Sequence, residues 1–516
     1  MAEPFVAVGP PLPPECPDGQ AGGLLAEAAR RWPDRPAIVA GDRTATFAEL
    51  DAAADRFSRC LGDRLGSAGA AVAVTSSLDI DFAVAYYGVL RSGNVVAPLN
   101  PLLPPPVIAH NLASVSARLA VVTPEVAERI AQVRTQLPDL EDVLPLSDVA
   151  TFDGESAAAE IAADAPACLL FTSGTTGAPK AVRLSHRNIT VNAAQVRQAH
   201  QLGPDAVCVV NLPTYHPMHL NPALLAGATQ ILCPRPFGAV ELAIRYGATH
   251  FYSMPAWLTR LAATDTNTAV PSLRMIASGG SALPADAAET LTARFGTPVF
   301  QGYGLAETSP LTHSDRPDAP VTGSVGFPVA GTECDVVDPD TGARLAAGEA
   351  GEVRVRGPQV MLGYHGRPDG EHLEAGGWFR TGDIGRISED GRLVLVDRIK
   401  DVFKRDNWLV SPSAIERRLR AHAEVEDCVV VDVADRVAGA VAAAFVVLRA
   451  PAAEADLIAF ANREAPAYEH LEFVEVLTEI PRSANGKVQR KELRAEMARR
   501  RGTASRRGAL TGEGKP

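Results

Sequence analysis

Residues 169–180 read LLFTSGTTGAPK, a short apolar run followed by a loop of glycines, hydroxyl side chains and one lysine. The apolar run, Ala167 to Phe171, is short and sharply bounded, which predicts a buried strand. Ser185 is predicted to cap a helix that continues to about Gln198. Glycines allow a ligand to approach the backbone closely, and the hydroxyls and Lys180 supply donors for phosphate oxygens. The segment therefore predicts a phosphate-binding loop, with an ordinary polar surface loop as the alternative.

Length and composition define the general class of the protein. The chain has 516 residues, so two or more hydrophobic cores are expected. A net charge of -12 argues against general nucleic-acid binding. The seven cysteines are scattered singly with no CxxC pair, which argues against a disulfide framework or a zinc site and favours a reducing cytoplasm. Residues 1–20 lack the pattern of a signal peptide, and the apolar run from Val437 to Leu448 is too short for a transmembrane segment.

Short apolar strands alternate with Ala-rich helices over the first 300 or so residues. After a predicted hairpin with its turn at Gly41-Asp42, this alternation predicts βαβ units in two lobes with largely parallel sheets. Val321 to Arg398 is punctuated by Gly and Pro, which predicts a small β-rich subdomain. The predicted fold class is therefore α/β, followed by a compact α+β unit and by a basic tail, residues 501–516, that is predicted to be disordered.

A second motif suits the base and the metal of a nucleotide. It reads Gln301-Gly302-Tyr303-Gly304-Leu305-Ala306-Glu307-Thr308. Its glycines admit a flat ring against the backbone, Tyr303 offers a stacking face, and Glu307 offers a carboxylate for a hard cation. A plain strand–turn–helix joint with an exposed Glu is the alternative for this motif alone.

Two further positions suit a ribose and a phosphate. Asp383 follows a Thr-Gly turn and is suited to accept hydrogen bonds from adjacent ribose hydroxyls, with a simple turn Asp as the alternative. Lys487 follows the predicted tight turn Asn485-Gly486. If that turn places it in a phosphate site, it stabilises charge on a transferring phosphoryl group; a solvated lysine is the alternative.

These motifs occur together and in this order, and the sequence resembles the adenylate-forming superfamily of acyl-CoA and aryl-CoA synthetases, firefly luciferase and nonribosomal-peptide adenylation domains. The resemblance implies an N-terminal adenylation domain, residues 1–397, a hinge at 398–400, and a mobile C-terminal domain, residues 401–500. It also implies two half-reactions. A carboxylic acid and ATP with Mg²⁺ form acyl-AMP and pyrophosphate, and the acyl group then passes to a thiol.

The resemblance also assigns residues. Phosphates would be held by Thr172, Ser173, Gly174, Thr175, Thr176, Gly177 and Lys180. The adenine would be lined by Ser278, Gly279, Gly280 and Ser281 with Gln301, Gly302 and Tyr303. Glu307 would ligate Mg²⁺, Thr308 would contact the α-phosphate, and Asp383 and Arg398 would hold the ribose. Lys400 would be the hinge residue and Lys487 the lysine of adenylation.

The resemblance implies a substrate class as well. In the peptide-synthetase branch an Asp after an aromatic residue holds the amino group of the substrate, but Pro213-Thr214-Tyr215-His216-Pro217 contains no acid. Tyr215-His216 instead resembles the Phe-His pair of aryl- and acyl-CoA ligases, which would place His216 beside the substrate carboxylate. No Asp-Ser-Leu carrier motif follows the C-terminal domain, so the acceptor would be coenzyme A or the phosphopantetheine of a separate carrier protein. A homodimer is left open.

Three positions depart from the family pattern: Ala181 and Asn407 replace usual glycines, and Ala414 replaces a common Glu. The family uses the loop around Asn407 to line the pantetheine channel. The leading hypothesis is an AMP-forming carboxylate–CoA ligase for an aryl or medium-sized hydrophobic acid. The alternatives are a stand-alone enzyme that loads a carrier protein, a specialist for one half-reaction, and a non-catalytic nucleotide-binding scaffold.

Overall fold

A computed structural model describes residues 4–13, 19–66, 68–156, 159–172, 179–264, 269–405, 408–435, 437–463, 465–482 and 488–510. By internal contacts the chain divides into two compact units. The first, which we call the N-terminal unit, comprises residues 1–349, 354–381 and 387–394. The second, the C-terminal unit, comprises residues 350–353, 382–386 and 395–516.

The strands alternate with helices over most of the described chain. The strands are β1 (Val6–Val8), β2 (Pro36–Ala40), β3 (Arg43–Thr46), β4 (Ala71–Thr75), β5 (Val95–Leu99), β6 (Leu119–Val122), β7 (Asp142–Pro145), β8 (Pro166–Thr172), β9 (Lys180–Ser185), β10 (Val207–Asn211), β11 (Thr229–Leu232), β12 (His250–Ser253), β13 (Met275–Ser278), β14 (Val299–Gly304), β15 (Leu311–Ser314), β16 (Phe327–Pro328), β17 (Glu333–Val337), β18 (Gly351–Arg356), β19 (Gly363–Tyr364), β20 (Leu373–Glu374), β21 (Trp378–Ile387), β22 (Leu393–Arg398), β23 (Phe403–Arg405), β24 (Trp408–Val410), β25 (Val425–Asp435), β26 (Gly439–Leu448) and β27 (Leu471–Val476).

The helices are α1 (Gly23–Arg31), α2 (Phe47–Leu65), α3 (Ile80–Arg91), α4 (Pro105–Ser114), α5 (Pro124–Gln132), α6 (His186–Ala199), α7 (Pro217–Ala226), α8 (Ala239–Tyr246), α9 (Pro255–Ala263), α10 (Ala285–Phe295), α11 (Pro412–Arg420), α12 (Glu454–Asn462) and α13 (Arg490–Leu510). Short 3₁₀ turns occur at Arg134–Gln136, Leu146–Asp148, Ala306–Thr308 and Ala467–Glu469. None of the helices in the described ranges has both the length and the apolar character required to cross a membrane.

Two sheets form the cores of the predicted lobes. The first has seven strands in the order β19-β9-β8-β5-β4-β6-β7, and β8, β5, β4, β6 and β7 run parallel. The second has nine strands in the order β16-β15-β14-β13-β12-β10-β11-β2-β3, with a parallel centre and antiparallel edges. Parallel strands buried on both faces need helices as covers, which accounts for the alternation in the sequence. The predicted α/β class is confirmed.

The elements around residue 180 differ from the sequence-based prediction. The predicted strand is β8, and Ser185 does cap α6, since its hydroxyl accepts from the backbone N–H of Asn188. Between them lies a strand that was not predicted, β9, paired antiparallel to β8 with Thr172 opposite Lys180. The loop is therefore the connection of a β-hairpin and does not lead directly into a helix.

The Val-rich segments after residue 321 form short strands. Six strands lie in one sheet, in the order β1-β17-β18-β21-β20 with β22 beside β21. This agrees with the prediction of β-rich structure between Val321 and Arg398.

The C-terminal unit is built on three strands, β25, β26 and β27. Residues alternate between the two faces of β25, as the two-residue period of a strand requires. Cys428 and Val430 pack with α11 and α12, whereas Val429 and Val431 pack with α13. Helix α13 continues to Leu510, ten residues into the tail that was predicted to be disordered. A basic and Gly/Ser-containing composition was a poor guide here because Ala and Arg also favour a helix.

Candidate active site

The described ends of the predicted phosphate loop are held close together by the β8–β9 hairpin. The hydroxyl of Thr172 donates to the carbonyl oxygen of Lys180 at 3.4 Å. Ser173, Gly174, Thr175, Thr176 and Gly177 lie outside the described residues. Lys180 therefore marks the point where the predicted loop meets the described sheet.

Lys180 is linked to Glu307 through an aromatic residue that the sequence analysis did not single out, Tyr364. The Lys180 ammonium lies 5.0 Å from the centre of the Tyr364 ring, in cation–π geometry. The Tyr364 hydroxyl donates to Glu307 Oε1 at 2.9 Å. Burial and the Glu307 carboxylate raise the pKa of the Tyr364 hydroxyl, so it remains a donor at neutral pH. This arrangement places a cation over the face of the ring and a carboxylate at its hydroxyl.

Strand pairing explains how Tyr364 reaches this position. The two-residue strand β19 pairs with β9, placing Tyr364 opposite Val182. The backbone N–H of Met361 donates to the Glu307 carbonyl at 2.8 Å, which brings the segment before β19 to the 3₁₀ turn. The only signal for Tyr364 in the sequence is an aromatic residue between two glycines, in Gly363-Tyr364-His365-Gly366, and such a pattern is common in turns.

The turn that carries Glu307 depends on a close backbone approach at Gly304. A Cβ atom at Gly304 would lie 1.8 Å from the Pro310 carbonyl oxygen, so only glycine fits. Thr308 is fully buried, and its hydroxyl lies 2.5 Å from the Pro310 carbonyl and 3.1 Å from the Leu305 carbonyl. The Thr308 hydroxyl thus closes the turn in this conformation.

The predicted adenine-lining residues come together at the carboxyl ends of two adjacent parallel strands. Strands β13 and β14 place Ser278 beside Gln301. Ligands commonly bind at this edge of an open α/β sheet. Gly279, Gly280 and Ser281 are exposed there, and Gly280 has a φ of 87°. Gln301 Oε1 accepts from the Leu283 N–H at 2.6 Å. A Cβ on Gly279 would lie 3.7 Å from the Gly302 carbonyl oxygen. The centre of the Tyr303 ring lies 5.9 Å from that of the His313 ring.

His216 is held at the start of a helix as a neutral ring. It caps α7, where its Nδ1 accepts from the Met218 N–H at 3.1 Å. Burial lowers the pKa of His216 to about 4, so the ring is neutral at physiological pH. With Nδ1 acting as the acceptor, the proton lies on Nε2. His216 can therefore donate one hydrogen bond, as a neutral group, to an anionic oxygen.

In the C-terminal unit the structure brings the predicted ribose residues into contact. Arg398 Nε lies 3.1 Å from Asp383 Oδ1, and Asp383 is buried whereas Arg398 is half exposed. The exposed Lys400 belongs to a turn in which the N–H groups of Asp401 and Val402 donate to the Arg398 carbonyl at 2.8 and 3.0 Å. Lys487 and Asn407 lie outside the described residues.

Asp397, which the sequence analysis did not single out, holds the start of the C-terminal helix α11. Its Oδ2 accepts from the Ser411 hydroxyl and from the Ser413 N–H, both at 2.9 Å. A carboxylate at a helix N-terminus is favoured by the helix dipole. The turn at Lys400 is therefore tied on one side to the first turn of α11.

Comparison with known proteins assigns the chain to a family. A model described as AMP-binding enzyme matches residues 25–365, and one described as the AMP-binding enzyme C-terminal domain matches residues 414–487. The 4-coumarate–CoA ligase 5 of Oryza sativa subsp. japonica is 31% identical over 497 residues, which cover 90% of this chain and 92% of that protein. The long-chain-fatty-acid–CoA ligase of Salmonella typhimurium is 32% identical, with 92% of this chain and 94% of that protein covered.

Solved structures agree with this assignment. The crystal structure of ATP-bound MatB from Rhodopseudomonas palustris matches with a TM-score of 0.86 and 28% identity, and the match covers 93% of this chain and 99% of MatB. The first family model spans more than half of the chain, and the relatives match along nearly its whole length. The chain belongs to the AMP-binding enzyme family.

Proposed function

We propose that this protein is an AMP-forming carboxylate–CoA ligase that acts on an aryl or medium-sized hydrophobic acid. Two relatives named for ligation of coumarate and of long-chain fatty acids to CoA support this class of substrate. The observation that carries the proposal is the arrangement of Lys180, Tyr364 and Glu307, which places a cation and an oriented carboxylate beside the predicted phosphate loop. A nucleoside triphosphate bound with Mg²⁺ requires a cation for its phosphate oxygens and a carboxylate for the metal.

The reaction consists of two balanced transfers. A carboxylate oxygen attacks the α-phosphorus of ATP, the bond to the bridging oxygen breaks, and pyrophosphate leaves. The thiolate of CoA then attacks the acyl carbon, AMP leaves with the bonding electrons, and the thiol proton passes to solvent. AMP is a far better leaving group than oxide, and the negative charge that accumulates around the α-phosphorus explains the need for cations there.

His216 orients the acid in this scheme. Its Nε2–H donates to one carboxylate oxygen and leaves the other free to attack. Because burial keeps the ring neutral, the hydrogen bond does not neutralise the nucleophile as a full ion pair would. The absence of a carboxylate in residues 213–217 also leaves no partner there for an amino group, which favours a simple acid.

Glu307 fits a role as the Mg²⁺ ligand. Mg²⁺ is usually bound through one or two carboxylates together with substrate phosphates. The Tyr364 hydrogen bond to Oε1 fixes the direction of the carboxylate. When bound, the metal would polarise the phosphate oxygens and neutralise part of their charge.

The remaining assignments concern residues of the C-terminal unit. We assign Asp383 and Arg398 to the ribose, Lys487 to charge stabilisation in adenylation, and Lys400 to a hinge at 398–400 between domains 1–397 and 401–500. The contact between Asp383 and Arg398 supports a joint role for these two residues. Free cysteines at all six described positions favour a reducing, cytoplasmic setting.

The acceptor has a second candidate, the phosphopantetheine of a carrier protein. Trp408 follows the Asn407 position, where the family has a glycine-containing loop; its side chain is exposed and stacks on Tyr468 with 5.3 Å between ring centres. The family lines its pantetheine channel with this loop, so the departures at Asn407 and Trp408 keep two alternatives to CoA transfer: a carrier protein and a specialist for one half-reaction.

The test is ATP–pyrophosphate exchange with a panel of aryl and fatty acids, followed by mass spectrometry of thioesters after addition of CoA or a carrier protein. Exchange together with acyl-CoA is the expected result. Exchange with transfer only to the carrier protein would replace CoA by that acceptor. Turnover of preformed acyl-adenylates without exchange would identify a thioesterification specialist, and inactivity in all three assays would overturn the proposal.

The matched variants are Glu307→Gln and Glu289→Gln. Glu289 is an exposed residue of α10, so its neutralisation controls for a general change in charge. Loss of exchange in the Glu307 variant with retention in the Glu289 variant would support the assigned role of Glu307.

A further inference from the structure

A solvent-open pocket lies in the N-terminal unit beside Lys180, and its lining includes side chains that have no role assigned above. It has a volume of about 190 Å³ and is lined by Lys180, Tyr364, His365, Arg367 and His372, among others. A single water requires only ~10–15 Å³ of such space, so the pocket can admit a larger group. Its position places it where β9, β19 and the segment that follows β19 meet.

The lining is rich in basic side chains. Lys180, His365, Arg367 and His372 all border the pocket, and none of its described lining residues is an Asp or a Glu. Arg367 is well exposed, and its nearest carboxylate, Glu371, lies 3.8 Å away in a loose i,i+4 pair that contributes little. Burial and, to a smaller extent, nearby Arg183 lower the pKa of His365.

Lys180 and His372 are both held by contacts with the Tyr364 ring, and the described residues leave Lys180 without a salt bridge and His372 Nε2 without a hydrogen bond. Lys180 is steadied by the face of the Tyr364 ring, and no described carboxylate forms a salt bridge with it. His372 packs edge-on against the Tyr364 ring, with 4.5 Å between ring centres. Its Nε2 is buried and has no hydrogen-bond partner among the described residues. A buried polar nitrogen without a partner is costly unless a ligand or water satisfies it.

We propose that this pocket is a phosphate subsite beside the predicted loop, in which Arg367 and His372 act with Lys180 to bind a phosphate group. Phosphate suits the pocket because its several oxygens can accept from separate donors at once, and a guanidinium can bind two of them in a fork. The subsite depends on the proposed function only for the identity of the molecule that carries the phosphate. The phosphate comes either from the pyrophosphate end of ATP or from the 3′-phosphate end of CoA.

The test measures binding directly and requires no turnover. Inorganic pyrophosphate and adenosine 3′,5′-bisphosphate are titrated by calorimetry into the full chain, the Arg367→Gln variant, the His372→Phe variant and the double variant. His372→Phe retains the ring that contacts Tyr364, and Arg367→Lys retains the charge without the fork. Arg260→Gln, at an exposed position in α9, is the matched control.

The expected result for at least one probe is a rise in Kd of roughly tenfold in each single variant and ~100-fold in the double variant, since each charged hydrogen bond contributes about 1.5 kcal/mol and each 1.4 kcal/mol is tenfold. Weakening of pyrophosphate alone identifies ATP as the source, and weakening of the bisphosphate alone identifies CoA. Weakening of both identifies a shared subsite. Arg367→Lys should fall between the wild type and Arg367→Gln.

Two results would overturn the proposal. One is a Kd within twofold of the wild type for both probes in the folded double variant, with folding verified by its melting temperature. The other is an absence of binding of either probe to the wild type at millimolar concentration. A failed ligase assay combined with probe binding that depends on Arg367 would refute the proposed function and leave the subsite intact.

Discussion

The histidine cluster of the N-terminal unit and the ionic cluster of the C-terminal unit both bury titratable side chains. The first buries them as neutral groups, and the second buries them as paired charges. In the first, His200 Nδ1 lies 3.1 Å from the Tyr252 hydroxyl, and His250 Nε2 donates to the His200 carbonyl at 2.9 Å. His219 packs against the same tyrosine, with 5.0 Å between ring centres. Burial lowers the pKa of His200 and of His219 to about 3, so these rings are buried as neutral groups.

In the ionic cluster the charges themselves are buried. Glu416 accepts from Arg490 Nη1 at 2.6 Å and from the Val430 N–H at 2.8 Å, and its side chain is only 5% exposed. Arg490 also donates to the Val430 carbonyl at 2.7 Å and lies 3.9 Å from Asp401, beside the predicted hinge residue Lys400. Neutral burial avoids the cost of desolvating a charge, whereas paired burial accepts that cost and fixes the geometry of several segments.

The first way to separate the two clusters is acidification. Only the neutral cluster consists of histidines, whose pKa is near 6.5 in the unfolded chain. The pKa of His200 and of His219 is lowered to about 3 in the folded chain, compared with about 6.5 when unfolded. Below pH 6.5 the unfolded chain therefore binds protons that the folded chain does not, and stability falls with pH. At pH 5 the loss is about 2 kcal/mol for each residue, or about 4 kcal/mol for the two.

Hydrogen exchange at pH 7.5 and at pH 5.0, corrected for intrinsic rates, measures this difference separately in each unit. Protection should fall by more in β10–β14 than in β25 and β26, and His219→Gln should reduce the fall. Equal losses in both units would contradict the comparison.

The second test removes one member of the ionic cluster. Glu416→Ala leaves Arg490 without its closest carboxylate in a mostly buried position, and we expect a loss of about 3 kcal/mol in the free energy of unfolding of the C-terminal unit. Urea unfolding measures it. Glu426→Ala, at an exposed position on β25, is the matched control and should change stability by less than about 0.5 kcal/mol. Similar effects for the two variants would show that burial of the pair does not matter.

The third test concerns a charge that serves a ligand rather than the fold. Glu307→Gln should lower the rate of ATP–pyrophosphate exchange by ~10²-fold, equivalent to about 2.7 kcal/mol, because the variant loses a full negative charge at the predicted metal position. Its melting temperature should stay close to that of the wild type, since the Tyr364 hydroxyl can donate to the amide oxygen instead. A large loss of stability with unchanged exchange would place Glu307 with the structural charges.

The smallest expected effect comes from the hydroxyl at the centre of the histidine cluster. Tyr252→Phe removes the contact with His200 and keeps the ring, and we expect a loss of about 1 kcal/mol in the free energy of unfolding. Thermal unfolding at pH 7.5 measures it. An unchanged stability would mean that packing alone holds the cluster.

Local patterns in the sequence were good guides to local structure. The buried strand before residue 172, the cap at Ser185 and the hairpin turn at Gly41-Asp42 were all predicted, and the structure confirms them as β8, the start of α6 and the β2–β3 hairpin. Each depends on residues within a few positions of one another. The strand β9 was missed because Lys180 and Arg183 interrupt its apolar pattern, and pairing with β8 on one side and β19 on the other compensates for them.

Contacts between distant segments could not be predicted in this way. The Tyr364–Glu307 hydrogen bond joins residues 57 positions apart, and the Glu416–Arg490 pair joins residues 74 apart. Neither pair has a spacing or a composition that distinguishes it from the many other Tyr, Glu and Arg residues of the chain. The assignments of Lys487 and of residues 173–177 remain predictions, because these residues lie outside the described ranges.

The sequence by itself determined the types of chemical group available and the order in which they occur: hydroxyls and a lysine after a strand, a carboxylate after a glycine-rich strand, and an Asp and an Arg near a hinge. The tertiary structure alone decided which of these groups meet. It placed Tyr364 between Lys180 and Glu307, made His216 neutral, and gathered basic side chains from separate segments around one pocket. The physical reason is that backbone propensities act over a few residues, whereas burial and contact depend on how whole sheets and helices pack.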